Sequence, residues 1–584
     1  MEKKHLFLGL TAIALAFWII IGENRRAVSQ AGLAEIASAQ TAPQVGWVPG
    51  APSVAPKKAA SVAAGKHLNC PGFILENSYI RGEISPIGGG IRSIALKKYP
   101  ATLGSEKPWI FDDYDNTQDA LSLWLVSASG MADLRDVCYD VVQSKEDSLL
   151  LRGSLSDGTT IDREYQLTKM ENGDDSYCIQ HVVRLNQGTT PSGNRSLHIS
   201  LGSLPSTEGD IHSEHLNFVH YDGKKARFLS LQKFAASRGF FGLGSRPHRE
   251  NIAENGRVVW GAIKNQFFAA ILTPQQPAVA FHAAPIELQG IDPSAVGTGI
   301  GATLVLPLLE HESGATAIMD YYVGPKEYTR LDRLGQRQDL VMQFGWFGFI
   351  SKLLLLCMNA IHWLIPNWGL TIILLTLLVK LILWPLTNAQ IRSSREMAKV
   401  QPYLESIRAR YKNNPQRVQQ ETLQLFREHK INPAAGCLPV FFQIPIIIGL
   451  YFMLRTASEL RFANFLWIKD LAVMDTVGHL GGFPINPMPI LMSVAAFFQM
   501  RMTPMTTQNA MQKRIFQAMP MIFLFFCYRL PSGLVLYWTV QNLLSIVQQG
   551  IINRRLKTPP QQKPLGRWPK HPCARSQAER PNKK

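Results

Sequence analysis

A lysine interrupts a long apolar stretch of this chain, and other polar side chains recur in the apolar stretches that follow. Lys380 lies twelve residues after Trp368. That spacing corresponds to about 18 Å of helix, so a membrane-spanning helix would hold the ammonium inside a hydrocarbon layer about 30 Å thick. A lysine at that depth costs about 2.5–3.5 kcal/mol, and we expect it to face water or a partner rather than lipid. The polar residues expected to share its surroundings are Thr376, Gln499, Trp538, Gln541, Asn542 and Ser545.

This set predicts a wet, positively charged groove between helices. Thr376 precedes Lys380 by one helical turn, and Trp538, Gln541, Asn542 and Ser545 fall on one helical face. No Asp or Glu in the apolar stretches is placed to neutralise the lysine. In the alternative interpretation, Lys380 extends its amine towards the aqueous phase while the amides make hydrogen bonds between helices.

Motifs for covalent chemistry are absent from the sequence. It contains no GxSxG, P-loop or HExxH pattern, so we expect neither an enzyme nor a cofactor. His212, His215 and His220 could ligate a metal, but we interpret them as surface histidines and expect no metal. The glycines of 297–301 (GTGIG) resemble a nucleotide fingerprint, but no helical pattern follows, and we expect a turn there.

The apolar runs and the distribution of charge predict the helices that position Lys380 and the other polar residues. Of 584 residues, 60 are Lys or Arg and 43 are Asp or Glu, a net charge of +17. Segment 389–436 carries nine basic and four acidic residues, and 551–584 carries ten and one. Positive charge stays on the cytoplasmic side of bacterial inner membranes, so we predict six spans with both termini cytoplasmic. The predicted spans are the apolar runs 6–22, 368–386, 438–454, 487–502, 515–528 and 534–552.

The fold class is therefore a multi-domain membrane protein, an α-helical bundle with a large extracytoplasmic antiparallel β-sandwich. Short β-like runs separated by Gly, Pro and Asp indicate the sandwich. Residues 1–26 are expected to be an uncleaved signal anchor, with a cleaved signal peptide as the alternative. The other predicted segments are a linker (27–66), the β domain (67–343), an interfacial amphipathic helix (346–365), a five-helix core (367–552) and a basic cytoplasmic tail (553–584).

The core contains a predicted helical hairpin at 389–430. Met397, Val400, Leu404, Ile407 and Tyr411 alternate steps of three and four, which is typical of a coiled-coil seam. The sequence KNNP at 412–415 interrupts this seam, and the spacing resumes in a second arm. The hairpin is longer than a connection between two spans requires, which indicates a docking role.

Five motifs resemble the YidC/Oxa family of membrane protein insertases in its long bacterial form. They are NWGLTII at 367–373, WPLTNAQ at 384–390, VQP at 400–402, NPAAGCLP at 432–439 and PSGLVLYW at 531–538, with Asn542 following. The resemblance implies a β-supersandwich and a five-helix insertase core after the anchor. It also implies groove roles for Thr376, Tyr537 and Trp538, while Gln499 fits a groove glutamine only with a one-residue shift. The family usually has an arginine where this chain has Lys380, and lysine loses the planar donor fork.

The resemblance implies a function without covalent chemistry, the insertion and folding of nascent inner-membrane proteins. Its implied partners are nascent membrane proteins, the Sec translocon, the ribosome through the basic tail, and anionic lipids, but no DNA. A small-solute transporter is the main alternative, because it too would place a cation at membrane depth. A membrane-anchored carbohydrate-binding protein is another, and it would leave the helical core unexplained.

Overall fold

The computed structural model describes residues 71–111, 119–127, 130–170, 175–186, 195–207, 210, 213–236, 247–289, 296–308, 310–311, 314–412, 414–429, 438–502 and 510–555. The expected anchor (1–26), the linker (27–66) and all but the first residues of the tail lie outside these ranges. The chain separates into two compact units. The β unit extends to Cys357 and includes Pro445–Asn464 and Lys469–Val473, and the helical unit comprises Met358–Ile444, Phe465–Ile468 and the chain from Met474.

The β unit contains twenty of the described strands, all paired antiparallel. In chain order they are β1 Phe73–Glu76, β2 Ile80–Ile84, β3 Ile91–Pro100, β4 Pro108–Phe111, β5 Leu123–Ser127, β6 Gly130–Asp133, β7 Tyr139–Ser144, β8 Ser148–Ser154, β9 Thr160–Lys169, β10 Asp175–Asn186, β11 Ser196–Pro205, β12 Asn217–Tyr221, β13 Ala226–Ser230, β14 Ile252–Val258, β15 Trp260–Lys264, β16 Phe268–Pro274, β17 Ala278–Gln289, β18 Val296–Pro307, β19 Glu310–His311 and β20 Gly314–Pro325. A four-stranded sheet has the order β1-β2-β3-β4, and a six-stranded sheet the order β14-β17-β18-β11-β5-β6. The largest sheet has the order β13-β12-β15-β16-β20-β10-β9-β8-β7, with β19 beside β20.

The two larger sheets pack face to face around the core of the β unit. Phe218 on β12 lies 5.0 Å, centroid to centroid, from Phe281 on β17. The sheets approach so closely that a Cβ on Gly261 of β15 would lie 2.9 Å from a methyl carbon of Leu304 on β18. Alternation along β9 and β20 turns one face inwards, whereas β16 is buried on both faces. The predicted antiparallel β-sandwich is confirmed.

The glycine-rich segment 297–301 is part of strand β18, so the expected turn is wrong. Gly301 pairs with Ala284 on one side and Ser203 on the other. A Cβ on Gly301 would lie 2.4 Å from the end of the Ile286 side chain, and one on Gly299 would lie 2.7 Å from Leu288. A larger residue at either position would therefore require the Ile286 or Leu288 side chain, which covers the strand, to move.

The described residues form nine α-helices. They are α1 Tyr328–Arg333, α2 Gly348–Leu364, α3 Trp368–Ile382, α4 Trp384–Arg410, α5 Pro415–Glu428, α6 Leu438–Thr456, α7 Pro487–Met502, α8 Ala510–Cys527 and α9 Ser532–Arg555. Strands β21 Gly478–Leu480 and β22 Phe483–Ile485 form a hairpin between α6 and α7. Within the helical unit, α9 packs against α3 and α7, and α8 packs against α7.

Helices α4 and α5 form a hairpin along the predicted apolar seam. Val400, Leu404 and Ile407 of α4 form a buried cluster with Leu425 of α5, and Met397, Tyr403, Tyr411, Val418 and Phe426 pack against it. The second arm begins where the Asn414 side chain accepts a hydrogen bond from the Arg417 amide, with Pro415 in the first turn. Helix α4 continues through Pro402.

Judged by length and apolar content, no single helix in the described ranges qualifies as a membrane span. The pair Trp368–Ile382 and Trp384–Met397 meets the same criterion together, with a bend of 61° between its members. The predicted domain boundaries and the six-span topology stay predictions.

Candidate functional site

Helix α3 presents Thr376 and Lys380 on one buried face. The helix begins at Asn367, whose side chain accepts a hydrogen bond from the Leu370 amide at 3.0 Å. It ends at Ile382, with Leu383 as its C-cap residue, because Pro385 has no amide N–H to continue the hydrogen-bond ladder, and a new helix begins at Trp384. The Thr376 hydroxyl donates to the Ile372 carbonyl at 2.6 Å, and Lys380 is only 4% exposed.

Lys380 contacts helix α9 through one hydroxyl group. Its Nζ donates to Ser545 Oγ at 2.8 Å, and Ser545 in turn donates to the Gln541 carbonyl at 2.7 Å. Within the part of the chain that the structure describes, no carboxylate lies within salt-bridge distance of Lys380. The structure therefore places the lysine in the bundle interior, facing the predicted polar face, with an uncharged partner.

Two further amides extend this polar row, and the sequence reasoning missed both. Gln548 is fully buried on α9, and its Nε2 donates to Asn388 Oδ1 on α4 at 2.9 Å. Gln548 lies three residues after Ser545 and seven after Gln541, so the same helical periodicity could have identified it. Asn388 lies beyond the bend that ends α3, where no periodicity carries over from one helix to the next.

The helical unit also contains buried polar oxygens without hydrogen-bond partners. Among the described residues, Gln541 Oε1 and Gln548 Oε1 have no partner, and neither do Ser493 Oγ on α7 and Asn359 Oδ1 on α2. Buried polar atoms in folded proteins nearly always have a partner, which is often ordered water. Two of these oxygens, on Gln541 and Gln548, thus belong to the helix that contacts Lys380 and can accept hydrogen bonds.

The remaining predicted residues occupy the same helices. Tyr537 is buried on α9, while Trp538 and Asn542 are half-buried there. Gln499 is half-buried near the end of α7, which packs against α9. The grouping of these four side chains with Lys380 in one groove stays a prediction.

Of the two histidines of this set that the structure describes, neither is an exposed surface residue. His220 is buried, with its ring 4.4 Å from that of Phe281, and burial lowers its pKa to about 4. His215 accepts a hydrogen bond from Arg455 Nε at 2.8 Å, and burial lowers its pKa well below the usual value. His212 lies outside the described residues. Within the described ranges, no group of three or more His, Cys, Asp or Glu side chains could hold a metal ion.

Helix α2 exposes an apolar face and directs its polar side chains inwards. Phe349, Leu353, Leu356 and Trp363 are exposed at helical spacing. On the β-unit part of the helix, Ser351 Oγ donates to the Gly449 carbonyl at 2.8 Å, and Lys352 pairs with Asp339. A helix with this arrangement suits an apolar or interfacial environment.

Comparison with known proteins places both parts of the chain in one family. Residues 74–357 match the family model described as the YidC periplasmic domain, and residues 360–560 match the model described as 60Kd inner membrane protein. A solved structure of a YidC insertase covers 82% of this chain and 94% of its own, with 18% identity and a TM-score of 0.33.

Relatives named membrane protein insertase YidC match most of the chain. The protein of Chlorobaculum parvum is 30% identical over 496 residues, which are 82% of this chain and 81% of that protein. The protein of Actinobacillus succinogenes is 31% identical over 506 residues, 83% of this chain and 86% of its own. These similarities give the transporter alternative no support. The chain belongs to the YidC family of membrane protein insertases.

Proposed function

We propose that this protein inserts nascent proteins into the bacterial inner membrane through a polar groove around Lys380. The main support for the groove is the hydrogen bond between Lys380 and the neutral Ser545 hydroxyl, because the lysine is nearly fully buried and has no charged partner among the described residues. The nearby orphan amide oxygens of Gln541 and Gln548 add capacity for water or for a peptide backbone. The candidate groove residues are Thr376, Lys380, Gln499, Tyr537, Trp538, Gln541 and Asn542.

The physical task is to move a polar segment through a layer that offers no hydrogen-bond partners. Each unsatisfied backbone group in hydrocarbon costs several kcal/mol. A hydrated groove shortens the dry path, the Lys380 ammonium attracts acidic residues of the segment, and the amides bond its backbone. The substrate's apolar helix then enters lipid with a gain of about 0.3–0.6 kcal/mol per Leu-like residue. This mechanism needs neither covalent chemistry nor a cofactor.

The proposal assigns roles to the segments around the groove. The exposed apolar face of α2 would lie in the membrane interface, beside the extracytoplasmic β domain. The hairpin of α4 and α5 would receive substrate on the cytoplasmic side, where both termini lie. The basic tail would contact ribosomal RNA or anionic lipid, and the protein would act alone or beside the Sec translocon.

Protease protection in liposomes tests the proposal. A small single-spanning protein with an acidic outer tail is offered to liposomes containing the wild type, the Lys380→Ala variant or no protein. We expect protection with the wild type and about a tenfold loss with the variant, because losing about 1.4 kcal/mol of attraction lowers an equilibrium tenfold. A substrate with a neutral tail is the matched control and should lose much less.

The outcomes separate the parts of the proposal. Equal protection of the acidic tail by both proteins would contradict the role of Lys380 and leave hydration and the amides as the cause. No protection above empty liposomes, for several substrates, would contradict insertion by this protein alone.

A further inference from the structure

A short uncharged β-hairpin projects from the helical unit. Strands β21 and β22 pair Leu480 with Phe483 across a two-residue turn, Gly481-Gly482. Both glycines have positive φ, +56° and +85°, which the tight turns of two-residue hairpins require and which other residues rarely adopt. The tip therefore has a defined backbone shape that glycine alone accommodates easily.

Hydrogen bonds hold the base of the hairpin to the ends of α7 and α8. Asp475 accepts from the Met488 amide at 2.6 Å, and Asn486 Nδ2 donates to the Tyr528 carbonyl at 2.8 Å. The Tyr528 hydroxyl donates to the Pro484 carbonyl. The hairpin thus has a fixed position where α7 begins and where α8 ends.

The tip presents a large apolar surface. Leu480 is 75% exposed and Phe483 is 77% exposed, and they form a cross-strand pair on one face with Ile485. Residues 477–485 (VGHLGGFPI) contain no Asp, Glu, Lys or Arg. An exposed apolar hairpin without charges is unfavourable in water, because its surface and open strand edges promote association. Something apolar is therefore expected to cover it.

The apolar surface continues onto the neighbouring helices. Exposed apolar side chains follow directly from the hairpin on α7 and reach its base along α8, namely Ile490, Leu491, Val494, Met521, Ile522, Phe525 and Phe526. In a protein of the inner membrane these helix faces meet lipid. Interfaces between proteins usually have a polar rim, whereas residues 477–485 carry no charged side chain.

We propose that the Leu480–Phe483 tip is a membrane anchor that inserts into the headgroup–acyl boundary where α7 begins and α8 ends. It rests on the membrane location in the proposed function and on no part of the groove mechanism. Phe483 and Leu480 would enter the acyl region, and Gly481 and Gly482 would let the backbone turn at headgroup depth. The hairpin would fix the height of the adjoining helix ends in the bilayer.

Depth-dependent fluorescence quenching tests the anchor in the full chain. An environment-sensitive fluorescent amino acid is placed by nonsense suppression at Phe483, at His479 on the opposite face of the hairpin, or at Phe525 on α8. Each protein is reconstituted into phosphatidylglycerol–phosphatidylethanolamine liposomes with brominated acyl chains or with aqueous iodide. We expect bromolipid to quench the label at 483 at least threefold more than the label at 479, with the reverse order for iodide.

The label at Phe525 tests the membrane location of the protein independently of the anchor. Quenching by bromolipid at 525 together with strong iodide quenching at 483 would overturn the anchor and leave the helices in lipid. Shielding of 483 from both quenchers would show that protein covers the tip, which also overturns it. Iodide access at both 483 and 525 would overturn the membrane placement and the anchor together.

Discussion

Both units of the molecule bury basic side chains, and Arg163 in the β unit and Lys380 in the helical unit are satisfied differently. In the β unit, Arg163 on β9 donates to the carbonyls of Gly88 and Leu121 and to His181 Nε2. Burial lowers the pKa of His181, so its imidazole is neutral and can accept. In the helical unit, Lys380 has one hydroxyl partner and lies near orphan amide oxygens. The cation with three hydrogen-bond partners serves the fold, whereas the one with a single hydroxyl partner leaves capacity for water and substrate.

The largest effect is expected from replacing Arg163. Arg163→Leu removes a buried donor and leaves the Gly88 and Leu121 carbonyls without it, which should lower the free energy of unfolding by about 3–5 kcal/mol. Urea unfolding of the detergent-solubilised chain, followed by near-UV circular dichroism, measures the change. The control is Arg227→Leu, because Arg227 is an exposed partner of Asp222 and should contribute at most about 1 kcal/mol. Equal losses in the two variants would contradict a structural role for Arg163.

Lys380→Met should act in the opposite direction on stability. The variant removes an ammonium that has no carboxylate partner among the described residues, so the free energy of unfolding should rise by about 1–3 kcal/mol. Insertion of an acidic-tail substrate should fall at the same time. Lys380→Arg keeps the charge and should retain insertion. A variant that is both destabilised and inactive would show that Lys380 supports the fold.

Two buried lysines of the β unit differ from both Arg163 and Lys380. Lys326 in the β unit is fully buried, and its Nζ has no hydrogen-bond partner, while Lys264 Nζ donates to Gln343 Oε1 at 2.8 Å. Burial lowers the pKa of Lys326 well below its usual value and that of Lys264 to about 7. The unfolded chain therefore binds more protons than the folded chain between a pH of about 7 and a pH of about 10.5.

Stability should consequently rise with pH in that window, by about 1.4 kcal/mol per pH unit for each of the two lysines. Lys326→Met should remove the contribution of Lys326 and reduce the slope. Urea unfolding midpoints at pH 7, 8 and 9 measure this slope. The control is Lys224→Met, because Lys224 lies on an exposed turn. An unchanged slope in Lys326→Met would indicate that the Lys326 amine stays protonated in the folded protein.

The smallest expected effect concerns the partner of Lys380. Ser545→Ala deletes the hydroxyl, but water can take its place in a hydrated groove, so stability should change by less than about 1 kcal/mol. Protease protection of the acidic-tail substrate should fall less than threefold, and Ser545→Thr should retain it. A loss as large as that of Lys380→Ala would mean that the groove is dry and that Ser545 positions the amine.

The sequence predicted the features of the fold that depend on local periodicity. The antiparallel sandwich follows from short alternating strands, and the seam of α4 and α5 follows from steps of three and four residues. The burial of Lys380 on a polar face also follows, because the cost of an ammonium in hydrocarbon requires it. His220 was interpreted wrongly because Phe281, whose ring covers it, is distant in sequence. The segment 297–301 was interpreted wrongly because its glycines look like turn residues, whereas they belong to a strand that pairs with β17 and β11.

The sequence by itself determined the residue types that suit a charged groove and the helical faces that carry them. Only the tertiary structure decided that Lys380 contacts Ser545, 165 positions away, and that Gln548 bonds Asn388 beyond the bend. Periodicity determines the face of a helix on which a residue lies, but not the rotation or height at which two helices pack. Those depend on the summed contacts of all side chains between the helices, which no local pattern contains.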